Sequence, residues 1–585
     1  MGFGPYRLWR APRRPAKAAR VTATLHAFAD RRPKLAALLL GAVSATGFAP
    51  LDLWPLTLIA LAGWMLLVAR APRGRRALGI GWAFGVGHFT IGLNWIATAF
   101  TYQAAMPAWL GWIAVVLLAL YLAAYPALAA WGAWTVSRIA VPAKAAGAGD
   151  GTPTVPAFAG VTLSFILTLA ALWTLTEWLR SWVFTGFAWN PLGAIAAGRF
   201  ASAAIWLGTY GLGALVVCVA GALLLLSARQ WKRAALVASI PILATATAVA
   251  TAGGGGGTAD TASSIPITLV QPNIGQQDKW EGDKADANFA KLARLTVPKD
   301  DRARLILWPE AAIPDYLETG YPLVYYDRSP AEARARLTNL MNPGDLMLLG
   351  ALKLELGRDG TVVGARNAVM TVYPDGTLGP RYDKAHLVPY GEYLPMRPLL
   401  SAIGLSRLAP GDIDFWPGPG ARTLSLPAAT RTVDVPPAGH PPAVIATRLP
   451  ETLRPAVEVG LQICYEIIFS GQVVDRAHRP DFIFNPSNDA WFGSWGPPQH
   501  LAQARLRAIE EGLPVVRATP TGISAVIDAD GRIRAAIPMH RAGRIDTLVP
   551  PAHAPTLFAR FGNRLPVGFA LLLLALAIAF RRRGR

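Results

Sequence analysis

Seven long apolar runs fill the first 252 residues of the chain, and an eighth lies at its far end. They cover Leu35–Phe48, Leu56–Val68, Ala77–Phe100, Ala108–Val136, Phe158–Val183, Ala201–Ser227, Ala234–Ala252 and Leu565–Phe580. Unbroken hydrophobicity on this scale predicts membrane-crossing helices. The first two runs are short and are joined by the turn Ala49-Pro-Leu-Asp-Leu-Trp-Pro55. From Ser264 to Val549 the pattern changes to strand-length apolar segments interleaved with amphipathic stretches. Strands are predicted at Ile267–Gln271, Leu305–Trp308, Leu346–Gly350, Ala368–Tyr373, Val459–Cys464, Asp481–Phe484, Val515–Ala518 and Ile523–Ile527, and helices at Lys284–Leu295 and Ala502–Glu511. Such alternation points to a layered α/β or α+β domain. Two stretches break the rhythm. Leu394–Gly420 is rich in Pro, Leu and Gly, and Arg422–Pro455 in Pro, Ala and Thr. Loops of that length act as lids or insertions, and Leu399, Leu400, Ile403, Leu405, Leu408 and Trp416 suit the first to a bilayer surface.

Charge orients this scheme. Hydrophobic residues make up 53% of the chain and charged residues 16%, with a net charge of +20. The basic residues cluster before the first run, after the second (Arg70, Arg73, Arg75, Arg76), after the fourth (Arg138, Lys144), after the sixth (Arg229, Lys232, Arg233) and after the eighth (Arg581, Arg582, Arg583). The intervening loops carry almost none. Positive loops face the cytoplasm, so both termini are expected there and the α/β domain outside it. The same clustering, with no recognisable binding module, speaks against nucleic acid as a partner. The expected plan is a basic cytoplasmic tail (1–34), a seven-helix membrane domain (35–252), a Gly-rich linker (253–263), an extracytoplasmic domain (264–549, lid or insertion loops at 394–455) and a last membrane helix with a basic tail (550–585).

The apolar runs hold a few polar residues, among them His88, Asn94, Glu177 and Arg180. An ion or substrate pathway is one reading, since ionisable groups in a bilayer are costly. The other is structural: Glu177 and Arg180 are three apart and share a helix face.

Candidate chemistry lies outside the apolar runs. The chain has two cysteines, and Cys218 falls within the sixth run. Cys464 follows a β-prone segment, which suits either a buried core thiol or a nucleophile. A thiol is mostly protonated at neutral pH and needs a base and a cation. Glu310, in Trp308-Pro-Glu310, supplies a carboxylate at another strand end. Lys384 and Glu392 lie together in the stretch Arg381–Pro395. The histidines show no ligand spacing, so no metal or organic cofactor is expected, and His386 reads as a packing residue.

Trp308-Pro-Glu310, Tyr382-Asp-Lys384 and Ile463-Cys464-Tyr-Glu466 together resemble the Glu-Lys-Cys motifs of the nitrilase superfamily. Val270–Trp280, His386–Pro395, Asn485–Gly493 and Glu177-Trp-Leu-Arg180 with Gly186-Phe-Ala-Trp189 are similar to one membrane-bound branch, the apolipoprotein N-acyltransferases. The resemblance runs from the first apolar run to the last. Departures lie in the basic N-terminal extension, the Ala143–Ala157 loop and the Arg422–Pro455 insertion. It implies eight membrane spans joined to a periplasmic αββα sandwich in a bacterial inner membrane. The implied reaction moves an acyl chain from a phospholipid, typically phosphatidylethanolamine, to the α-amine of a diacylglyceryl-cysteine apolipoprotein. Carried over by motif, Glu310 is the general base, Lys384 the oxyanion stabiliser and Cys464 the nucleophile. Glu392 supports the lysine, while Trp280, Tyr465, Glu466 and Trp491 line or shape the site. A membrane-anchored amidase, with water as acceptor, and a transporter with an extracytoplasmic cap are the competing readings.

Overall fold

Every one of the eight apolar runs contains a helix. The computed structural model describes residues 27–102, 107–138, 161–254, 265–279, 281–402, 404, 407–408, 413–427 and 456–583. Most of the 1–34 tail, the Ala143–Ala157 loop, most of the 253–263 linker and most of the Arg422–Pro455 insertion lie outside the described residues. Among the described residues, four helices are long and apolar enough to cross a membrane: Leu110–Arg138, Ala201–Ser227, Trp231–Thr251 and Arg564–Arg581. Pro33–Gly47 and Trp54–Ala69 are shorter apolar helices. Gly74–Gly92 and Leu163–Arg180 fill the remaining runs.

Small residues let these helices approach closely. Gly41 faces the Phe84 backbone carbonyl and Gly87 the Leu38 carbonyl, and a side chain at either would collide with backbone. The Arg564–Arg583 helix packs on Leu163–Arg180 and Ala204–Ser227, so the end of the chain completes the bundle. Glu177 and Arg180 do not form a tight pair. Their nearest charged atoms are 4.0 Å apart. Instead Glu177 Oε1 accepts the Leu192 N–H at 2.7 Å, and Arg180 Nη1 donates to the Trp189 carbonyl at 2.9 Å. The two side chains hold a loop that leaves the bundle toward the α/β domain. This favours the structural reading over a transport pathway.

The α/β domain has twelve strands in two six-stranded sheets. In chain order they are β1 (Pro266–Gln271), β2 (Leu305–Leu307), β3 (Leu346–Leu356), β4 (Val362–Val372), β5 (Tyr382–Asp383) and β6 (Thr423–Pro427). There follow β7 (Ala456–Leu461), β8 (Phe482–Pro486), β9 (Val515–Ala518), β10 (Ser524–Ile527), β11 (Ile533–Ile537) and β12 (Gly543–Leu548). One sheet runs β12-β1-β2-β3-β4-β5 and the other β11-β10-β9-β8-β7-β6. Successive strand residues point to opposite faces, and the burial follows that period. Leu269, Leu307 and Leu348 meet Val459, Leu461, Phe484 and Val516 between the sheets. Ile306, Met347 and Leu349 face outward onto Leu292 and Leu337 of the helices Ala285–Thr296 and Pro330–Thr338. On the far side Ile483, Val515 and Ala525 pack on Leu501, Ala504 and Ala508 of the helix Gly496–Glu511. The layers are therefore α, β, β, α.

That last helix is shared between the two halves of the molecule. Its cluster also takes in Phe89, Leu93, Tyr125 and Trp189. Trp189 Nε1 donates to Gln499 Oε1 at 2.8 Å, and Glu510 Oε1 accepts the Thr209 N–H at 2.5 Å and hydroxyl at 2.7 Å. The strand expected over Val459–Cys464 ends at Leu461. The Ile463 N–H leaves the ladder for the Glu466 carboxylate, and Cys464 opens a short 3₁₀ turn, Cys464–Ile468.

Candidate active site

Three strand ends converge. Glu310 lies just past β2, where Pro309 has no N–H to extend the ladder; Lys384 directly follows β5, and Cys464 follows β7. All three are buried, with Lys384 only 1% exposed. Lys384 Nζ lies 3.0 Å from Glu392 Oε1 and 3.6 Å from Glu310 Oε1. Asn367 Nδ2, projecting from β4, donates to Glu310 Oε1 at 2.7 Å and Glu392 Oε1 at 3.0 Å. The second Glu392 oxygen accepts the Val388 N–H at 2.8 Å. Glu392 thus supports the lysine directly. Glu310 Oε2 has no hydrogen-bond partner among the described residues and is available to a proton.

Charge governs the protonation states. Burial works against the Lys384 ammonium, but Glu392, Glu310 and Cys464 outweigh it and hold its pKa above the ordinary lysine range. Burial, and then the Glu310 charge, push the Cys464 thiol well above its usual value, while Lys384 and the Asn488 backbone N–H at the sulfur oppose them. The resting sulfur is a thiol. It ionises only as a base removes its proton, which is the task an adjacent carboxylate can perform.

Cys464 has φ +53°. A residue with a side chain pays about 1–3 kcal/mol for this region and keeps it only where the surroundings over-determine it. Glu466 does much of that work. Its Oε1 accepts the Ala385 N–H at 2.7 Å and the His386 N–H at 3.0 Å. Its Oε2 accepts the Ile463 N–H at 2.7 Å, and the Tyr382 hydroxyl donates to both oxygens. One carboxylate therefore ties the Lys384 strand end to the Cys464 turn. Burial raises its pKa to about 7, against the pull of those N–H groups and of Lys384.

Tyr465 donates to the Gly186 carbonyl at 3.2 Å, which attaches the residue beside Cys464 to the loop held by Glu177 and Arg180. Trp491 is partly exposed and meets Tyr102 edge-on at 5.8 Å. With its amide oxygen turned toward them, Asn488 accepts from Trp491 Nε1 at 3.0 Å and Lys279 Nζ at 3.3 Å. Trp280 lies outside the described residues. His386 stacks on Phe469 with ring centroids 3.8 Å apart and packs as expected. Two clefts flank the site. One of about 440 Å³ is lined by Glu310, Lys279 and Phe289. The other, of about 630 Å³, is lined by Glu466, Gln462 and His386.

Sequence reasoning missed Asn367 and Lys279. Asn367 had a readable signal, a lone amide beside Arg366 in the middle of a mostly apolar strand. Lys279, whose Nζ donates to the Glu310 carbonyl at 2.9 Å, carried no mark in the sequence to set it apart from Lys284, Lys291 and Lys299, which follow it. Burial brings its pKa down to about 8, against the charges of Glu310 and Cys464. Among the described residues no group of three or more His, Cys, Asp or Glu is placed to hold a metal ion.

Residues 40–222 match the family model described as the apolipoprotein N-acyltransferase N-terminal domain, and residues 267–549 match that of carbon-nitrogen hydrolases. The apolipoprotein N-acyltransferase of Rhodopseudomonas palustris is 32% identical over 569 residues, spanning 94% of this chain and 95% of that protein. That of Bradyrhizobium diazoefficiens is 32% identical over 571 residues, again 94% and 95%. The Ralstonia nicotianae enzyme is 31% identical over 554 residues, covering 94% of this chain and 93% of its own.

Proposed function

The chain belongs to the apolipoprotein N-acyltransferase family, and from that premise we propose that Cys464, Glu310 and Lys384 carry its acyl transfer through a thioester. The protein is a membrane acyltransferase of lipoprotein maturation, with a phospholipid as acyl donor and a lipoprotein as acceptor. The observation that carries the residue assignment is the Lys384 ammonium set between Glu392 and Glu310 at the strand ends that also present Cys464.

In the first half-reaction Cys464 Sγ attacks the ester carbonyl of the phospholipid as Glu310 takes the thiol proton. The Lys384 ammonium holds the oxyanion that forms. The C–O bond then breaks, Glu310 returns its proton to the departing alkoxide, and lysophospholipid leaves. In the second half-reaction the α-amine of the diacylglyceryl-cysteine attacks the thioester and gives a proton to Glu310. The C–S bond breaks and that proton restores the thiol. Atoms and charges balance without ATP or a cofactor, as ping-pong transfer requires. Glu392 and Asn367 hold Lys384 and Glu310 in place, and Glu466 holds the turn. Tyr465, Trp280 and Trp491 shape the approach.

The bilayer has a part in this scheme. Both substrates are lipids, and drawing an acyl chain into water costs about 0.8 kcal/mol per CH₂. A site seated on the membrane bundle avoids that cost. The favoured donor is phosphatidylethanolamine. All eight helices span a bacterial inner membrane, with both termini cytoplasmic and the α/β domain, residues 264–549, in the periplasm. The support for this orientation is the placing of basic clusters in alternate loops.

Incubating the enzyme with acyl-labelled phospholipid, without acceptor, should leave one acyl mass on the Cys464 peptide and none in Cys464→Ser. Acylation of lipoprotein with no adduct at Cys464 would overturn the thioester. Free fatty acid as the sole product would make the protein a hydrolase.

A further inference from the structure

Behind the nucleophile sits a buried triplet that the mechanism above does not use. His500, Asp489 and Arg517 have side chains fully shielded from solvent. His500 belongs to the first turns of Gly496–Glu511, the helix shared by the two halves of the molecule. Its Nε2 lies 3.0 Å from the Cys464 carbonyl oxygen. A carbonyl can only accept, so Nε2 carries the proton. On the other side of the ring, Nδ1 lies 2.9 Å from Arg517 Nη2 and 3.0 Å from Asp489 Oδ1. Arg517 is itself held by both Asp489 oxygens at 2.6 Å, by Asn485 Oδ1 at 2.5 Å and by Ser487 Oγ at 3.1 Å.

These contacts fix a proton on Nε2. At Nδ1 an Arg517 N–H and an Asp489 oxygen compete; the Arg517 N–H suits a neutral ring, and in either protonation state the Nε2–H points at Cys464. Burial, and then the Arg517 charge, hold the His500 pKa below the ordinary imidazole range, opposed by Asp489. Asp489, Arg517 and the Cys464 peptide are the charged or titratable partners that reach the ring. Trp189 and Phe492 cover it, with centroids 5.0 and 5.9 Å away. The carbonyl being held is that of the residue with φ +53°, whose rotation decides where the sulfur points and how the N–H groups after it meet a substrate oxygen.

We propose that His500 is a positioning residue of the acyl transfer. Its Nε2–H, set by Arg517 on the opposite nitrogen, holds the Cys464 peptide in the left-handed turn that aims the sulfur. The proposal rests on Cys464 being the nucleophile. It also couples chemistry to the membrane half, because the ring packs at a tilt against Trp189, a residue of the loop carried by Arg180.

The test uses the full chain in phospholipid vesicles, with His500→Leu and His500→Gln. Glutamine can return an N–H near the Nε2 position, whereas leucine cannot. His500→Leu should slow formation of the Cys464 acyl adduct about 100-fold, the scale of a mis-aimed reacting atom, with little change in KM. His500→Gln should recover to within about tenfold of the parent, and its adduct rate should follow the parent's pH profile from pH 6 to 8, since a neutral ring moves no proton. An unchanged rate in His500→Leu would overturn the proposal. So would equal losses in both variants with matching falls in thermal midpoint, which would mean packing alone. An acid limb present in the parent and absent in His500→Gln would make the ring a proton carrier instead. If the parent transfers acyl chains with no adduct at Cys464, the nucleophile assignment has failed and this proposal falls with it, whereas an adduct in the parent together with an unchanged rate in His500→Leu overturns the role of His500 alone.

Discussion

At the residue scale, the site depends on groups that join segments as much as on groups that react. Glu466 receives three backbone N–H groups and one hydroxyl from two separate segments, so it sets the distance between Lys384 and Cys464. Glutamine has nearly the same shape, but one of its two ends is a donor. Whichever way it turns, an NH₂ would face a backbone N–H at Ala385 and His386 or at Ile463. Leaving a buried donor unmatched costs about 1–3 kcal/mol. Glu466→Gln should therefore lose about 10- to 100-fold in acyl transfer, with lipid binding unaltered, as kcat measured against KM would show. Unchanged kcat would mean that the Cys464 turn holds without the clamp. Glu310 and Cys464 could be read from short motifs because each follows an apolar strand that ends abruptly, whereas Lys384, after the two-residue β5, could be read only from the motif around it. His500, Asp489 and Arg517 could not. They are ordinary polar residues in sequence, and only tertiary contact shows that they share a fully buried cluster.

At the scale of elements, the strands that were readable are those buried on both faces, whose apolar runs stand out from their surroundings. The ones that escaped are the edges. β11 and β12 are polar and largely exposed, β5 spans two residues, and β6 lies in the Pro-, Ala- and Thr-rich stretch expected to be an insertion. The segment after Glu392 is the element with the most to add to function. Its short helix Arg397–Ala402 is tied back by the ion pair of Arg397 with Asp414. Met396 just before it and Leu399 within it stand 64% and 62% exposed, although both are large and apolar. An element that shows apolar side chains to solvent next to a lipid-handling site is suited to a membrane surface or an acyl chain. Burying one leucine contributes about 1.5–3 kcal/mol. Leu399→Asp should accordingly raise KM for vesicle phospholipid about tenfold or more, with the alkylation rate of Cys464 unchanged. If KM stays put, the helix has no part in lipid capture.

At the scale of the whole molecule, the first and last strands of the α/β domain are neighbours. β1 and β12 pair antiparallel, with Pro266 opposite Leu548, so the chain enters and leaves this domain at one place. The helix Trp231–Gly254 ends before that place and Arg564–Arg583 begins after it, so the first ends on the face of the bundle from which the second starts. In the arrangement proposed above, in which the seven apolar runs before the domain and the one after it each cross the bilayer, the segments before the first run and after the last lie on the opposite side. The basic clusters support the proposal that this side is the cytoplasm. The two halves are also fixed to each other: Thr209 of the membrane bundle is held by both Glu510 and Arg507, which pair with each other in the helix Gly496–Glu511. The domain cannot turn over without breaking a buried charge cluster, so one labelling experiment decides the arrangement. Both native cysteines are buried, and Cys218→Ala with Cys464→Ser provides a silent background. Arg358→Cys lies in the exposed β3–β4 turn, and Arg73→Cys in an exposed loop between the second and third helices. In intact cells a membrane-impermeant maleimide should label the first and spare the second until the cells are opened. The reverse pattern would put the site in the cytoplasm, and lipoprotein acylation would then need acceptors presented on that face. Labelling of both in intact cells would mean that the eight helices do not form one sealed bundle, and the argument from β1 and β12 would lose its premise.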